Sequence, residues 1–214
     1  MRCRVGTAHR FICHQLFWWA LPTLLIMSQQ IRTFIAIPLS GQIKEELSKL
    51  QEELKKSEAQ VKWVSPEGIH LTLKFLGNVD EEKIREIEEA IAKKTKDCSP
   101  FLLSLGCLGV FPDFRRPRVV WVGVEEGASK VKELAKRIEK ALLPLGAKKE
   151  DRPFSSHLTL GRVKGTKGIE KLKEILGCLK AKESGSLKVD RIEIIKSQLT
   201  PKGAIYTTLR KIIL

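Results

Sequence analysis

The apolar and polar residues of this chain follow two periods, and together they predict strands interleaved with helices. Short apolar or alternating runs predict strands at residues 33–39, 61–64, 70–76, 101–110, 118–124, 157–163, 187–199 and 204–213. Apolar residues that recur every three or four positions predict four helices, led by Ile43, Leu47, Leu50 and Leu54, by Ile84, Ile87 and Ile91, by Val131, Leu134, Ile138 and Leu142, and by Ile169, Leu172, Ile175 and Leu179.

Residues that favour caps and turns separate these segments. Ser40 and Asp80 are placed to cap the first two helices, and Gly177 is expected to fray the last one. Residues 200–203 contain proline and glycine and predict the turn of a terminal hairpin. No Gly-rich phosphate loop or long strand–helix–strand series occurs, so an α+β class is favoured over a doubly wound parallel sheet.

One tetrapeptide, His-Leu-Thr-Leu, occurs twice, beginning at His70 and at His157. The two copies are 87 residues apart, and each begins four residues after a proline, Pro66 or Pro153. Each copy lies on a predicted strand beside predicted helices. This repetition indicates an internal duplication that forms two similar lobes packed as one unit.

Strand geometry divides each motif between two faces, because successive side chains point to opposite sides. His70 and Thr72 are expected to share one face, while the two leucines of the motif anchor the strand in the core. The same parity groups His157 with Thr159, and it adds Lys74 to the face of His70. Two such strands across a cleft would surround a small anion with two imidazoles and two hydroxyls, which suit phosphate oxygens.

Paired imidazoles suit phosphoryl chemistry without a metal ion. A neutral imidazole can remove a proton from water, and an imidazolium can protonate a departing ribose oxygen. The alternative is that both histidines are incidental residues of ordinary strands. Recurrence in one context argues against this alternative, since the remaining histidines, His9 and His14, lie near the N-terminus. A zinc enzyme is disfavoured because no acidic ligand pattern accompanies the two histidines.

The charge indicates the class of partner, and the cysteines indicate the compartment. The net charge is +14, and residues 27–214 carry 36 basic and 25 acidic groups, a surplus of 11 that favours a polyanion such as RNA, DNA or anionic lipid. The five cysteines form no CxxC pair, which is typical of reduced thiols in a cytoplasmic protein. Asn78 is the only asparagine, and this bias favours a heat-adapted source.

Residues 1–26 are expected to lie outside the folded domain, which would span residues 27–214. Three arginines precede an apolar run at residues 16–27 that is shorter than a membrane-spanning helix. Our hypothesis is that translation begins at Met27 and that the preceding residues are an over-extended gene start. Anchoring in a membrane is the alternative.

Several segments together resemble a known family. They are the two HLTL motifs, residues 109–124 (GVFPDFRRPRVVWVGV), residues 152–163 (RPFSSHLTLGRV) and the closing LTPKGAIYTTL. In these segments the chain resembles the 2H phosphoesterase superfamily and, within it, the bacterial and archaeal RNA 2′,3′-cyclic phosphodiesterases, also called 2′-5′ RNA ligases. The resemblance runs from about Met27 to the C-terminus.

The resemblance implies a bilobal α+β fold, with an antiparallel sheet and outer helices in each lobe and a cleft between the lobes. It implies metal-free hydrolysis of an RNA 2′,3′-cyclic phosphate to a 2′-phosphomonoester, with weak 2′-5′ ligation as a side reaction. His70 would then be the proton donor and His157 the proton acceptor, while Thr72 and Thr159 hold the phosphate. We expect a cytoplasmic monomer that needs no cofactor and acts on RNA such as tRNA fragments.

The supporting residues leave alternatives open. Lys74, Arg115, Arg116 and Arg118 are candidates for binding phosphate, and a solvated basic loop is the alternative for the arginines. Phe114 and Phe154 are candidates for base stacking or for the core. A small cyclic nucleotide, a 2′-5′ oligonucleotide, or RNA-end binding without catalysis are the alternative functions.

Overall fold

Ten strands and four α-helices occupy the part of the chain that the computed structural model describes, residues 29–179, 186–201 and 203–214. The strands are β1 (Gln30–Ile37), β2 (Val61–Trp63), β3 (Leu71–Asp80), β4 (Phe101–Leu103), β5 (Leu105–Phe111), β6 (Val119–Val124), β7 (His157–Val163), β8 (Leu187–Val189), β9 (Arg191–Thr200) and β10 (Gly203–Ile213). The helices are α1 (Gly41–Lys55), α2 (Ile84–Thr95), α3 (Ala128–Leu142) and α4 (Ile169–Cys178). The hypothesis about residues 1–26 lies outside the described residues.

The four helices form where their apolar periodicity predicts them. Ser40 caps α1, because its hydroxyl accepts a hydrogen bond from the Ile43 amide at 3.3 Å. A short 3-10 turn, Glu81–Lys83, follows Asp80 and leads into α2. Helix α4 continues one residue beyond Gly177.

Two strands that the sequence predicts as continuous are each divided. The run at residues 101–110 breaks at Ser104, and the run at residues 187–199 breaks at Asp190. The detached pieces, β4 and β8, pair with each other in a separate two-stranded antiparallel sheet. The apolar residues continue beyond both breaks, and the alternation shifts by one residue between Val189 and Ile192, but neither feature identifies the new partner strand.

The remaining eight strands form one sheet in the order β10-β9-β1-β3-β7-β6-β5, with β2 beside β7, and all its pairings are antiparallel. Strands β10, β9, β1 and β3 form the first lobe, and β2, β7, β6 and β5 form the second lobe. The predicted two-lobed α+β architecture is confirmed. The lobes meet where Leu71 of β3 pairs with Leu158 of β7.

Both motif strands contain a β-bulge at the last leucine of the motif. In β3, Thr72 pairs with Ala36 and Lys74 with Ile35, so Leu73 has no partner residue on β1. In β7, Thr159 pairs with Trp121 and Gly161 with Val120, so Leu160 is the extra residue. The bulges therefore occupy equivalent positions in the two repeats. Beyond each bulge, a side chain therefore lies on the opposite face of the sheet from the one that strict alternation predicts.

Helices cover one face of each lobe, and the helix that follows the first strand of a repeat crosses to the other lobe. Helix α1 follows β1 but packs beside α4 under the second lobe, where the Gln51 side-chain amide donates to the carbonyls of Val64 (2.7 Å) and Leu160 (2.8 Å). Helix α3 follows β6 but packs against α2 and β3 of the first lobe. The buried leucines of both motifs, Leu71, Leu73, Leu158 and Leu160, lie in this core.

Among the described residues, no helix combines the length and the apolar character that crossing a membrane requires.

Gly161 and Gly177 provide a paired test of this packing. A Cβ at residue 161 would lie 2.5 Å from Val61 Cγ1 and 2.9 Å from the Trp63 ring, whereas a Cβ at residue 177 meets nothing within 4 Å. Gly161→Ala should therefore lower the free energy of unfolding by about 1–3 kcal/mol. Gly177→Ala should raise it by roughly 0.5–1 kcal/mol, because alanine favours the helix. Urea denaturation measures both, and equal effects would contradict the packing described for β7.

Candidate active site

The two motifs lie side by side on the face of the sheet that the helices leave uncovered. If the register of the Leu71–Leu158 pair is continued by one residue in each direction, Thr72 lies opposite His157 and Thr159 opposite His70. The paired leucines are equivalent residues of the two repeats, so a local two-fold axis passes between them. We call the surface between these histidines and threonines the groove.

His70 is enclosed by aromatic rings in the first lobe. Its imidazole stacks on Phe34 with ring centroids 4.5 Å apart, and the Tyr206 ring meets it edge-on at 5.0 Å. Its Nδ1 lies 2.9 Å from the carbonyl oxygen of Gly68. These contacts fix the ring plane and leave Nε2 as the nitrogen available to a ligand.

His157 has a similar but more open environment in the second lobe. The Phe111 ring meets the imidazole edge-on at 4.9 Å, and Trp121 lies 6.4 Å away. Its Nδ1 lies 2.9 Å from the carbonyl oxygen of Ser155, which, like Gly68 for His70, is two residues earlier in the chain. The Trp121 indole nitrogen is buried and has no hydrogen-bond partner within the described ranges.

The carbonyl contacts determine which imidazole nitrogen carries the proton. A carbonyl oxygen only accepts hydrogen bonds, so Nδ1 of each histidine must be the donor. In the neutral state, Nε2 of His70 and of His157 then presents a lone pair, and in the charged state it presents an N–H. Each ring can therefore accept or release a proton at Nε2.

The His70 imidazole is less basic than an ordinary histidine. Burial lowers its pKa, because the charged ring loses hydration, and the hydrogen bond to the Gly68 carbonyl opposes this effect in part. His70 is therefore mainly neutral at neutral pH in the free protein. A bound anion would favour its charged form.

The spacing across the groove suits a small anion. His70 and His157 occupy diagonal positions about the Leu71–Leu158 pair. The Cα atoms of such diagonal residues are roughly 7–8 Å apart. Thr72 and Thr159 are partly exposed on the same face. Two imidazoles and two hydroxyls can therefore approach one phosphate group from both lobes.

The bulges determine which further residues reach the groove face. Phe75 pairs with Phe34, two residues before the Ala36 that pairs with Thr72, so Phe75 shares the face of Thr72. Arg162 pairs with Val119, two residues before Trp121, and therefore shares the face of Thr159. In each motif the third residue after the threonine, rather than the second, faces the groove.

The parity prediction for Lys74 is wrong because of the bulge at Leu73. Lys74 turns toward the helix-covered face, where it is almost fully buried. Its ammonium donates to the Lys148 carbonyl at 2.7 Å and pairs with Glu150 at 3.3 Å and with Glu139 at 3.4 Å. Lys74 thus ties β3 to α3 and to the segment that leads into the second motif.

The three predicted arginines lie on the loop between β5 and β6. This loop follows Phe111, which contacts His157, and Asp113 accepts hydrogen bonds from the amides of Arg115 (2.8 Å) and Arg116 (3.1 Å). All three side chains, including that of Arg118, are exposed. Their contact with a substrate stays a prediction.

The two aromatic candidates differ in position. Phe114 is exposed on the same loop, while Phe154 packs against the core.

The aromatic surroundings of both histidines and the basic pair on β2 and β7 are not among the residues predicted from the sequence. Phe34 and Trp121 are 87 residues apart, the same spacing as the motifs, and this repetition was the available signal. Arg162 has Lys62 as its cross-strand partner on β2. Both side chains are exposed on the groove face of the second lobe.

The two other depressions on the surface are separate from the groove, and the described residues contain no cluster of metal ligands. Two surface depressions, of about 400 Å³ beside Phe101 and Lys130 and about 340 Å³ beside Ser40 and Arg191, share no residue with the groove. No three His, Cys, Asp or Glu side chains cluster as metal ligands in the part of the chain that is described. Metal-free chemistry stays a prediction.

Comparison with known families agrees with the duplication. The family model "LigT like Phosphoesterase" matches twice, at residues 37–121 and at residues 122–206. A fold of two such repeats with a His-x-Thr pair on each central strand defines the 2H class of phosphoesterases. The chain belongs to the LigT-like phosphoesterase family.

Individual relatives support this assignment. A protein named RNA 2′,3′-cyclic phosphodiesterase from Methanothermobacter thermautotrophicus is 39% identical over 180 residues, covering 84% of this chain and 97% of the relative. One of the same name from Aquifex aeolicus is 34% identical over 186 residues, covering 85% and 96%.

Solved structures share the fold. A protein of Thermus thermophilus, TT0787, superposes with a TM-score of 0.69 at 26% identity, covering 86% of this chain and 98% of that one. Escherichia coli LigT superposes with a TM-score of 0.72 at 24% identity, covering 87% and 99%.

The lowered pKa of His70 can be tested directly. An NMR titration of its ring should give a midpoint below the ordinary value of 6.5. Tyr206→Ala should raise that midpoint, because water reaches the ring and the desolvation penalty falls. Ile205→Ala, on the opposite face of β10, should leave it unchanged. A wild-type midpoint at or above 6.5 would contradict the effect of burial.

The structural role of Lys74 predicts a specific pattern of defects. Lys74→Met should lower the free energy of unfolding by about 1–3 kcal/mol, because the Lys148 carbonyl and the carboxylates of Glu139 and Glu150 lose their donor. If a polyanion such as RNA binds in the groove, the salt dependence of that binding should not change, because the ammonium is buried on the helix-covered face. Denaturation and binding titrations at several salt concentrations measure both. A loss of about one unit in the salt slope would instead support the phosphate role.

Proposed function

We propose that this protein hydrolyses the 2′,3′-cyclic phosphate ends of RNA to 2′-phosphomonoesters, with His70 and His157 as a metal-free acid–base pair. The observation that carries the proposal is the pairing of Leu71 with Leu158, which sets both imidazoles on one face about a local two-fold axis. Relatives named RNA 2′,3′-cyclic phosphodiesterase support the substrate class.

In the proposed reaction, His157 is the base and His70 is the acid. His157 Nε2 takes a proton from a water molecule as the water oxygen bonds to phosphorus. The bond between phosphorus and the ribose 3′-oxygen breaks, and His70 Nε2 gives its proton to that oxygen. Exchange with solvent restores both rings. Each proton transfer contributes typically ~10²–10⁴ in rate.

The threonines stabilise the charge that develops on the phosphoryl group. Thr72 and Thr159 hydroxyls donate hydrogen bonds to the two non-bridging oxygens, one from each lobe. Donors held in place by sheet backbone need little reorganisation when negative charge accumulates on those oxygens.

The environment of His70 makes its acid role depend on the substrate. Burial keeps the ring mainly neutral in the free protein, because it lowers the pKa. A cyclic phosphate anion bound beside the ring compensates for the lost hydration and favours the imidazolium. An imidazolium with a low intrinsic pKa then transfers its proton readily to the leaving oxygen.

The distribution of basic residues favours RNA over a small metabolite. Lys62 and Arg162 extend positive charge along the second lobe from Thr159, and the loop that bears Arg115, Arg116 and Arg118 continues it beyond Phe111. Several such phosphate contacts would add salt-dependent affinity for a polymer. We place this activity in a cytoplasmic monomer that acts on RNA ends such as those of tRNA fragments.

The same site can carry out a ligation. If a 5′-hydroxyl of a second RNA takes the place of water, attack on the cyclic phosphate yields a 2′-5′ linkage. We propose this as a minor reaction, because water is far more concentrated than RNA ends.

The test is incubation of a cyclic-phosphate-ended oligoribonucleotide with the protein in excess chelator. We expect a 2′-phosphomonoester product. His70→Ala and His157→Ala should each lose at least roughly 10²-fold in kcat, with thermal unfolding close to wild type. Thr207→Val, on the helix-covered face, serves as a folded control. Binding without hydrolysis would instead indicate an RNA-end binding module, and equal turnover of cyclic mononucleotides would indicate a small substrate.

A sulfur substitution separates the two histidine roles. When sulfur replaces the bridging 3′-oxygen, the thiolate leaves without protonation, since thiol pKa values are near 8.5. His70→Ala should regain most of its activity on this substrate, and His157→Ala should not. Recovery of His157→Ala alone would reverse the assignment.

A further inference from the structure

The aromatic contacts that hold the two histidines differ between the lobes. Phe34 stacks directly on His70 at 4.5 Å. Its counterpart 87 residues later, Trp121, lies 6.4 Å from His157 and is not stacked on it. The Phe111 ring makes the close contact instead, because it stacks on Trp121 at 5.0 Å and meets the His157 imidazole edge-on at 4.9 Å. The imidazole of the second lobe is therefore supported by two rings in series.

A glycine allows these two rings to stack. Gly109 pairs with Trp121 between β5 and β6, and a Cβ at residue 109 would lie 2.4 Å from the indole ring. The lack of a side chain at Gly109 therefore lets the indole lie against β5. The indole nitrogen is buried and has no hydrogen-bond partner among the described residues, so packing fixes the position of this ring. We call Phe111 and Trp121, resting on Gly109, the second-lobe stack.

A second contact of the His157 ring is a hydrogen bond that is open to water. Its Nδ1 donates to the Ser155 carbonyl oxygen at 2.9 Å, and this bond lies in an exposed part of the surface. A hydrogen bond that water can replace contributes little net free energy. By itself it would leave other orientations of the imidazole populated.

The proposed role of His157 as the base requires one of these orientations. Nε2 carries the lone pair only while Nδ1 keeps its proton, which the Ser155 carbonyl ensures. A half-turn of the ring would move Nδ1 away from this carbonyl and Nε2 away from the groove. A displacement of about 1 Å at a catalytic group can cost ~10²-fold in rate.

We propose that Phe111 is the positioning residue of His157 and that the second-lobe stack holds the imidazole with Nε2 toward the groove; this inference rests on the proposed function. Aromatic rings that meet at right angles have a preferred geometry, so Phe111 opposes the rotation that the single hydrogen bond allows. Phe111 acts through the imidazole and not on the reacting atoms. Its loss therefore impairs the base and leaves the acid of the first lobe intact.

The first measurement is the hydrolysis of the cyclic-phosphate-ended oligoribonucleotide. Phe111→Leu keeps an apolar side chain but removes the ring, and it should lower kcat by roughly 10- to 100-fold with little change in KM, because the threonines still bind the phosphate. Phe111→Tyr keeps the ring and should retain most of the rate. On the substrate with the bridging sulfur, which needs the base but not the acid, the loss in Phe111→Leu should persist, whereas His70→Ala recovers.

The second measurement follows the ring of His157 and needs no catalysis. The ¹⁵N chemical shifts of a neutral imidazole distinguish a protonated nitrogen from an unprotonated one. At alkaline pH the wild type should show a protonated Nδ1 on His157, and Phe111→Leu should show a mixture of both tautomers. Gly109→Ala should shift the same signals, because its Cβ would displace the indole. If Gly109→Ala does not fold, the result for Phe111→Leu decides.

Leu108→Ala is the matched control. Leu108 also lies on β5, but it pairs with the buried Val122 and packs against the core. Its loss should destabilise the fold and change neither kcat nor the signals of His157.

Two results would overturn the role of Phe111 while leaving the hydrolysis intact. One is a wild-type kcat with unchanged signals of His157 in Phe111→Leu. The other is a loss in kcat that disappears on the sulfur substrate. Absence of hydrolysis by the wild type would refute the proposed function itself, and the ¹⁵N spectra would still show whether the stack orients the ring.

Discussion

The pairing of Leu71 with Leu158 is the constraint on which the site depends. It joins two lobes whose strands otherwise pair within their own halves, and it does so between residues buried in the core. Backbone hydrogen bonding and leucine packing thus fix the positions of side chains on the opposite face. A stable apolar contact on one side of the sheet holds the polar groups of the other side in register.

The bulges complete this arrangement. Without an extra residue at Leu73 and Leu160, strict alternation would place Lys74 and Gly161 toward the groove. With the bulges, Lys74 turns to the helix-covered face and binds Glu139, while Gly161 lies against the Trp63 ring. The residues that reach the groove instead are Phe75 in the first lobe and Arg162 in the second, so the groove is aromatic on one side and basic on the other.

Much of this could be predicted from the sequence. The helices followed from their apolar stripes, and the grouping of His70 with Thr72 followed from strand parity over two residues. Strict alternation predicted the wrong face for Lys74. The extra residue of the bulge is another buried leucine, so nothing in the sequence indicates that a bulge is present. The aromatic surroundings of His70 were also out of reach, since Tyr206 comes from a strand 136 residues later in the chain. The break at Ser104 depends on β8, which is also distant in sequence.

The crossing of α1 and α3 bears on how such a protein could have arisen. Each repeat supplies a helix to the lobe of the other, and strands are shared in the same way: β2 and β5 of the first repeat lie in the second lobe, and β9 and β10 of the second repeat lie in the first lobe. Neither repeat could therefore form a complete lobe alone. A single-repeat ancestor would have needed two copies that exchange these elements about a two-fold axis, and such a homodimer would already contain a symmetric pair of histidines.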